Sequence, residues 1–280
     1  MNTKLLAIFT RTPLHVGAGS SVGAVDQPVV RERHTRFPVI PGTAIKGVLA
    51  DLWLDWSDKD KPVRDAKDGV KLFGKTDAKD AKAGQLMIGE GRLLAFPVRS
   101  AKKCFAWITC PLALERFARD AGVKLPVLAV GEEKALAPAE LAVEGHVIFE
   151  EYPLPTEGTV PDAVVSALSE LNDEPVWKDN LKAHLAVVSD ELFAYFAENA
   201  CEIANHNRIE DTTGVVAKGA LFSQENVPSE TMFYSVVNSV GAGELDLLGA
   251  KLAEEKNLLQ IGADMTTGLG WCDVALKEVK

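Results

Sequence analysis

The 280 residues of the chain are 47% hydrophobic and 25% charged, which excludes a disordered chain and allows one elaborated domain or two small ones. The formal net charge of −10 argues against a protein that coats nucleic acid with a uniformly basic surface. No run of about 18 uncharged apolar residues occurs, and no small-residue cleavage site follows the first apolar stretch. We therefore expect a soluble cytoplasmic protein that does not bind a membrane.

The charge is distributed unevenly along the chain. Residues 1–50 contain six basic and two acidic side chains, a net of +4, whereas the other 230 residues contain 24 basic and 38 acidic ones, a net of −14. Contacts to phosphate need local positive charge rather than a basic protein as a whole. The asymmetry predicts one anion-facing surface, formed by the first fifty residues.

The N-terminal elements can be predicted from periodicity. Residues 3–10 form a continuous apolar run that indicates a buried first strand. Residues 15–41 are rich in Gly, Ser, Pro and Arg without helical spacing, so we expect a long ordered loop, and such loops are usually functional. Apolar residues then recur at helical spacing as far as Trp56, and Thr43 is the expected N-cap of this helix.

The middle of the chain is less regular. Residues 57–84 are rich in Lys and Asp and are predicted to form an exposed insertion, and residues 122–180 are rich in Pro and Glu and are treated as a second insertion. The regular elements expected around them are strands at 85–98, 103–109 and 146–149 and helices at 112–120 and 190–198.

The C-terminal third contains a predicted hairpin, with a turn at residues 212–214 between strands that begin near 201 and 215. The later elements are a strand at 230–238, a helix at 243–256, strands at 257–261 and 271–276, and a glycine-rich turn at 262–270. Without the insertions the order is strand, helix, strand, strand, helix, strand, as in RRM-like (ferredoxin-like) domains. We therefore predict an α+β protein with a single RRM-like domain over residues 1–280.

Two glycine-rich turns, one near each end of the chain, are candidates for anion binding. Glycine lets backbone amides approach an anion closely, and the first turn, which follows a strand, also carries hydroxyl groups. It lacks the Gly-Lys-Ser/Thr of a phosphate-binding P-loop, and spacing alone fits a flexible turn equally well. The candidate residues are His15, Gly17, Gly19 and Ser20 in the first turn and Gly262, Gly268 and Gly270 in the second.

Basic residues supply a second signal. If the chain is extended after Pro28, strand-like alternation places Arg31 and Arg33 on one side as a two-arginine fork. A solvated charged loop is the alternative. Lys46 falls in the first turn of the predicted helix if Thr43 is the N-cap, where a cation is unfavourable unless an anion binds there. Helix amides and a lysine together make a phosphate seat, although an exposed, tolerated lysine is the alternative.

The order of these motifs resembles a known family. The motifs are Leu-His-Val-Gly-Ala-Gly at 14–19, Asp26 followed by Arg-Glu-Arg-His-Thr at 31–35, and Phe-Pro-Val-Ile-Pro-Gly-Thr-Ala-Ile-Lys-Gly at 37–47. Together they resemble the N-terminal signature of the RAMP superfamily and, more narrowly, of the backbone subunits of the Cmr (type III-B) CRISPR effector complex. Residues 262–270 resemble the glycine-rich loop of the superfamily. The palm motifs overlap with those of type III-A counterparts, and residues 57–180 match by length alone.

The resemblance implies an RNA-bound filament. Family members have an RRM-like palm, stack head to tail along guide crRNA beside other Cmr subunits, and hold its phosphates with the glycine loop and the helix start. A β-hairpin thumb wedges into the guide:target duplex; here it corresponds to about 205–225, with Lys218 as a contact to the RNA backbone. Base pairing then reads the sequence of the target RNA, so the protein needs shape and charge rather than a base-reading code.

The resemblance also implies a chemistry, since Asp26 occupies the position of the family's cleavage residue. One carboxylate cannot form a metal cage, so Mg²⁺ or Mn²⁺ would be held jointly by Asp26, water and RNA phosphate. Two alternatives remain: a guide-RNA scaffold without cleavage, in which Asp26 only shapes its loop, and a metal-independent RNA-processing nuclease with His15 as the general base.

Overall fold

A computed structural model describes residues 2–21, 23–55, 63–64, 67–75 and 80–279. The expected helical position of Trp56 and parts of the 57–84 insertion lie outside these residues. The helices are α1 Gly42–Asp51, α2 Asp68–Phe73, α3 Pro111–Ala121, α4 Asp162–Ser169, α5 Pro175–His184, α6 Asp190–Asn199 and α7 Glu244–Glu254, with 3-10 turns at Ala139–Leu141 and Met265–Thr267.

The strands alternate with these helices along the chain, which confirms the predicted α+β class. The strands are β1 Asn2–Thr10, β2 Val39–Ile40, β3 Leu54–Asp55, β4 Val63–Arg64, β5 Gly74–Lys75, β6 Lys82–Ala83, β7 Leu86–Ile88, β8 Gly91–Arg99, β9 Phe105–Thr109, β10 Ala135–Leu136, β11 Ala142–Val143, β12 His146–Phe149, β13 Tyr152–Gly158, β14 Leu185–Val188, β15 Glu202–His206, β16 Phe222–Asn226, β17 Met232–Ser239, β18 Leu258–Gln260 and β19 Trp271–Glu278.

One mixed sheet of 13 strands organises the molecule, in the order β11-β12-β13-β10-β14-β9-β8-β17-β1-β19-β18, with β2 on β8 and β7 on β17. In its centre, β8, β17, β1 and β19 are successively antiparallel. The pairs β15-β16, β3-β4 and β5-β6 form separate two-stranded ribbons.

Strand β1 is buried on both faces, which explains its continuous apolar run. Leu6 and Ile8 belong to a core cluster with α1, α2, α6 and α7. Leu5 and Phe9 belong to a second cluster with α3, α4 and α5, where the Phe9 and Trp177 rings are 5.6 Å apart. Helices therefore cover both faces of the central sheet.

The first helix differs from its prediction at both ends. It begins at Gly42 with Pro41 as the N-cap and ends at Asp51, so the expected cap at Thr43 is wrong. The carbonyl of Pro41 accepts hydrogen bonds from the amides of residues 44 and 45, and a Cβ on Gly42 would lie 2.6 Å from the carbonyl oxygen of Ile88. Close packing against this backbone fixes the helix start two residues earlier than expected.

The two predicted insertions contribute to the core. Helix α2 buries Leu72 and Phe73, so the 57–84 segment is not simply exposed. Within 122–180, β10 and β13 extend the central sheet and α4 and α5 cover one face of it. The predicted strand at 85–98 divides at residues 89–90 into β7 and β8. Pro- and Glu-rich composition concealed these elements because their apolar positions are few but deeply buried.

The predicted hairpin is present with a different second strand. Strand β15 pairs with β16, from Glu202 opposite Asn226 to His206 opposite Phe222. The expected strand at 215–218 is wrong, because this segment lies in the tip, where the pairing is a single bridge between Ile209 and Val216. Left-handed glycines at 214 and 219 flank the segment and interrupt extended pairing there.

Most of the other predicted elements are confirmed within a few residues. The strands near 3–10, 103–109, 146–149, 230–238, 257–261 and 271–276 and the helices near 112–120, 190–198 and 243–256 are all present. Within the described part of the chain, no helix combines the length and apolar character needed to cross a membrane.

Candidate nucleic-acid interface

The loop after β1 folds back on itself and presents a short tip. The amide of Val30 donates to the carbonyl of Val16 at 2.9 Å, and the amide of Ala18 donates to the carbonyl of Pro28 at 2.8 Å. The described residues between these bonds, 19–21 and 23–27, therefore lie on a projection from the fold. The candidate residues Gly19 and Ser20 are exposed on this projection, and Gly17 is exposed at its base, where it bridges to Val29.

Asp26 lies on this projection and is fixed by the base of the hairpin. Its Oδ2 accepts a hydrogen bond from the amide of Ser223 at 2.8 Å and another from the Ser223 hydroxyl at 3.0 Å. The amide of Asp26 donates in return to the same hydroxyl at 3.0 Å. The backbone bond and then the hydroxyl bond from Ser223 lower the pKa of Asp26. The result is a solvent-exposed carboxylate that stays ionised at neutral pH.

His15 is buried where three segments meet. It is only 5% exposed, and its Nδ1 lies 2.7 Å from the carbonyl oxygen of Glu225, which can only accept, so Nδ1 carries a proton. The His15 carbonyl accepts from the amide of Ala263 at 2.9 Å. His15 therefore joins the first loop, strand β16 and the glycine-rich turn from below rather than facing solvent.

The glycine-rich turn packs directly against the first loop. Gly262 and Gly270 have φ angles of 84° and 78°, and a Cβ on either residue would overlap a backbone carbonyl, that of His15 or that of Ile261. Gly268 has a φ angle of 88°, and nothing lies within 4 Å of the position of its Cβ. Gly262 and Gly270 are thus required for packing, whereas Gly268 leaves accessible backbone.

The predicted fork of Arg31 and Arg33 is wrong. Residues 33–35 form a turn, which breaks strand alternation, so the two side chains separate. The Arg31 side chain is 6% exposed and pairs with Glu225, and it also donates to the carbonyls of Arg36 and Ala197. Its guanidinium is therefore committed to internal contacts, and only Arg33 stays exposed.

Arg33 borders a basic groove of about 500 Å³. Other basic side chains that line it are His34, Arg92, Arg116 and Arg119. Arg116 pairs with Glu32 at 2.9 Å, and Arg92 pairs with Asp120 at 2.8 Å. Because much of this positive charge is already neutralised inside the protein, the groove is a weaker anion site than its arginine content indicates.

The start of α1 forms a second exposed part of the candidate interface. It has no side-chain cap and no acidic residue in its first turn, so neither of these neutralises the partial positive charge of the helix start. Thr43 and Lys46 are both exposed. Because the helix begins at Gly42, Lys46 lies in the second turn rather than the first. Lys218 is exposed on the hairpin tip, far along the chain from α1.

Strand β16 supplies contacts that sequence reasoning missed. Ser223 binds Asp26, while Glu225 Oε2 accepts from the amide of Val29 at 2.9 Å. Gln224 faces the other way and donates to Asp264 of the glycine-rich turn at 2.7 Å. The sequence signal for these contacts was a run of three polar residues within a strand, Ser223, Gln224 and Glu225, all of them buried or half-buried. Because successive side chains of a strand point to opposite faces, Ser223 and Glu225 contact the first loop and Gln224 contacts the glycine-rich turn.

The residues around Asp26 do not form a metal cage by themselves. Among the described residues, no three His, Cys, Asp or Glu side chains converge in a way that could hold a metal ion. One oxygen of Asp26 already accepts two hydrogen bonds. Asp26 can therefore contribute only part of the coordination that a divalent cation needs.

The chain belongs to the RAMP superfamily, whose model matches residues 8–273. Over its whole length it is 36% identical to the CRISPR system Cmr endoribonuclease Cmr4 of Pyrococcus furiosus, of which 97% is covered.

Two further comparisons separate the subgroups. The crystal structure of oligomeric Cmr4 from Pyrococcus furiosus superposes with a TM-score of 0.75 and 29% identity in the structural alignment, covering 100% of this chain and 99% of that one. The CRISPR system Cms endoribonuclease Csm3 of Enterococcus italicus is 34% identical over only 86 residues, 28% of this chain and 40% of the relative. The full-length similarity is therefore to the Cmr type.

Proposed function

We propose that this chain is the repeating backbone subunit of a cytoplasmic type III-B CRISPR effector complex and an endoribonuclease that cleaves target RNA paired to guide crRNA at regular intervals. Full-length similarity to a Cmr endoribonuclease supports the activity. The observation that carries the assignment of the site is an exposed, ionised carboxylate, Asp26, fixed at the base of the hairpin by Ser223.

An RRM-like palm is the proposed scaffold. The antiparallel order β19-β1-β17-β8 supports it, because this places the fourth, first, third and second strands of a βαββαβ unit side by side. Head-to-tail contacts between copies of such a domain use two different surfaces and so generate a filament rather than a closed dimer. A filament of this kind, with the other Cmr subunits at its ends, would follow the guide crRNA.

The guide is held through its phosphates in this proposal. Gly19, Ser20 and Gly268 offer accessible backbone and hydroxyl donors, and the uncapped start of α1 adds Thr43 and Lys46. These groups recognise charge and shape without reading bases, which suits a protein that accepts guides of any sequence.

The hairpin is the proposed thumb. Its tip exposes several large apolar side chains, namely Ile209 (50%), Val215 (59%), Val216 (47%) and Leu221 (68%). Apolar side chains can separate stacked bases, as in proteins that wedge into duplexes, and Lys218 lies among them to contact the RNA backbone. A tip inserted at each subunit would space the displaced bases, and hence the cleavage sites, by one subunit repeat.

The proposed reaction is an in-line attack within the target RNA. The 2′-hydroxyl loses its proton as its oxygen bonds to the adjacent phosphorus, the P–O5′ bond breaks, and the leaving oxygen gains a proton. The products are a 2′,3′-cyclic phosphate and a 5′-hydroxyl. A displaced base allows the alignment that this attack needs.

Asp26 is the proposed catalytic residue in this step. Its lowered pKa makes it a weak proton acceptor and favours an electrostatic role instead. Mg²⁺ or Mn²⁺, held by Asp26 together with RNA phosphate and water, would supply positive charge at the reacting phosphate. The burial of His15 disfavours the metal-independent alternative, because a general base must reach the hydroxyl proton.

The test is target cleavage by complexes assembled with Asp26→Ala, with and without EDTA. We expect the rate to fall by at least about 100-fold, since even outer-shell partners of a catalytic metal contribute 10- to 100-fold. Asp179→Ala, at an exposed position on α5, is the matched control. Cleavage that persists in Asp26→Ala would reject this assignment, and EDTA-insensitive cleavage would favour His15. A wild-type complex that binds target RNA without cutting it would favour the alternative in which the chain is a guide-RNA scaffold without cleavage.

A further inference from the structure

We propose that Ser223 is a positioning residue for RNA cleavage, which orients the Asp26 carboxylate so that one oxygen is committed to the protein and the other faces the RNA. This inference rests on the proposed role of Asp26. Ser223 belongs to the hairpin and is 197 positions away from Asp26 in the chain.

The contact is reciprocal. The Ser223 hydroxyl donates to Asp26 Oδ2 and accepts from the Asp26 amide, both at 3.0 Å, while the Ser223 amide donates to the same Oδ2 at 2.8 Å. The amide of Gln27 donates to the Ser223 carbonyl at 3.0 Å. Four hydrogen bonds thus join two adjacent residues of the loop to one residue of the strand.

Ser223 is itself held in place. It lies in β16 opposite Asn205 of β15, and the next residue, Gln224, is 2% exposed and bound to Asp264. The hydrogen bonds from Ser223 to Asp26, here called the clamp, therefore come from a paired strand, β16, that also contacts the glycine-rich turn. A carboxylate on a free loop would sample many orientations, whereas this one is restricted before RNA arrives, which lowers the entropic cost of reaching reactive geometry.

The clamp also divides the two carboxylate oxygens. Oδ2 accepts both hydrogen bonds from Ser223, and in the described part of the chain no other donor is bonded to the Asp26 side chain. Oδ1 is the oxygen left for a cation or an RNA hydroxyl. The same two bonds stabilise the charged form, which agrees with the lowered pKa of Asp26.

Serine is suited to this position because a short hydroxyl both donates and accepts. Ser223→Ala removes both bonds of the hydroxyl but keeps the backbone donor to Oδ2 and the bond from Gln27. Ser223→Thr keeps the hydroxyl and adds a methyl group, which is tolerated in a strand. The pair of variants separates loss of the clamp from simple substitution of the strand.

The experiment measures single-turnover target cleavage in complexes assembled with wild-type chain, Ser223→Ala, Ser223→Thr, Asp26→Ala or the double variant that combines Asp26→Ala with Ser223→Ala. Ser169→Ala is the matched control, because that hydroxyl also donates one hydrogen bond, to the carbonyl of Ser166, at a helix end outside the interface. With guide and target binding unchanged, we expect Ser223→Ala to cut about tenfold more slowly, because small displacements of a catalytic group can cost up to 10²-fold. Ser223→Thr should stay within about threefold of wild type, and Ser223→Ala should add no loss to Asp26→Ala.

A second measurement is specific to positioning. Carboxyl ¹³C signals of the full chain, labelled at Asp and identified by their loss in Asp26→Asn, follow the ionisation of Asp26 from pH 7 downward. In the wild type its pKa should lie below the ordinary value of about 3.9, and Ser223→Ala should move it upward. A merely structural serine would change unfolding without moving this titration.

The outcomes are distinguishable. If Asp26→Ala abolishes cleavage while Ser223→Ala cuts at the wild-type rate with an unchanged Asp26 titration, the positioning role is rejected and the proposed function stands. If Asp26→Ala still cuts, the proposed role of Asp26 fails, and the inference about Ser223 fails with it. A loss of guide binding in Ser223→Ala with an unmoved titration would assign the serine to folding of the loop and reject positioning.

Discussion

The two ends of the hairpin follow different physical rules. At its base, β15 and β16 pair regularly and Gln224, Glu225 and Asn226 are buried. Gln224 and Glu225 are hydrogen-bonded to other loops. At its tip, residues 207–221 have a single bridge and expose apolar side chains such as Leu221. The base is determined by partners within the chain. The tip carries apolar surface that the described part of the chain leaves exposed, as surfaces that bind a partner do.

The largest expected effect on stability comes from a substitution at the base of the hairpin. Arg31 and Glu225 form an ion pair with side chains only 6% and 9% exposed, so Glu225→Ala leaves a buried guanidinium without its carboxylate. We expect a loss of about 3–5 kcal/mol in the free energy of unfolding, measured with urea. The control is Glu198→Ala, which breaks an exposed pair with Arg36 and should cost less than about 1 kcal/mol. Equal losses in the two variants would show that burial does not control the strength of the base.

The next largest effect on stability should differ between two glycines of the glycine-rich turn. Gly262 and Gly268 share a left-handed backbone, in which alanine costs about 1–2 kcal/mol. Gly262→Ala also forces a methyl group into the His15 carbonyl, whereas Gly268→Ala points into open space. We expect losses of about 2–4 and about 1 kcal/mol in unfolding free energy. Similar values would mean that the turn can move away from the first loop, and the junction would then not be rigid.

The sequence identified the residues of the first loop and the glycine-rich turn better than it identified the hairpin strands. The order of glycines, acid and helix start carried a family resemblance, but the contact of the two glycine-rich turns at His15 was not predicted. Alternation failed at Arg31 because a turn at 33–35 intervenes, and a turn of that kind depends on contacts with α3 and α6 that are distant in sequence. β-Branched residues at 215–216 indicated a strand, but tertiary pairing selected 222–226 instead.

The helix start shows the same limit on a smaller scale. A threonine is a better N-cap than a proline by local preference, yet the helix begins after Pro41 because Gly42 fits closely against the backbone at residues 88–89. Likewise, residues 122–180 lack a clear period, and their strands join the sheet through β10, which pairs with β14. Local sequence patterns predicted the helices and strands whose conformation is set by their own residues. They did not predict those that depend on pairing or packing with residues distant in the sequence.

Lys46→Ala tests the exposed helix start, whose expected effect is moderate. Loss of one phosphate contact should weaken guide crRNA binding by about fivefold to tenfold for any guide sequence and reduce the salt slope by about one. Filter binding over a salt series measures both quantities. Lys124→Ala, another exposed lysine but in the loop after α3, should change neither. An unchanged salt slope in Lys46→Ala would remove this residue from the guide interface.

The smallest expected effect on stability belongs to the tip. Leu221 is 68% exposed, so Leu221→Asp should alter the free energy of unfolding by less than about 0.5 kcal/mol. The same charge placed against stacked bases should slow target cleavage and disturb its regular spacing, seen as a changed ladder of products. Val127→Asp is the control, since Val127 is 89% exposed outside the hairpin and should affect neither property. A Leu221→Asp chain that unfolds more easily would show that the tip packs within its own subunit, and the contrast between tip and base would then be lost.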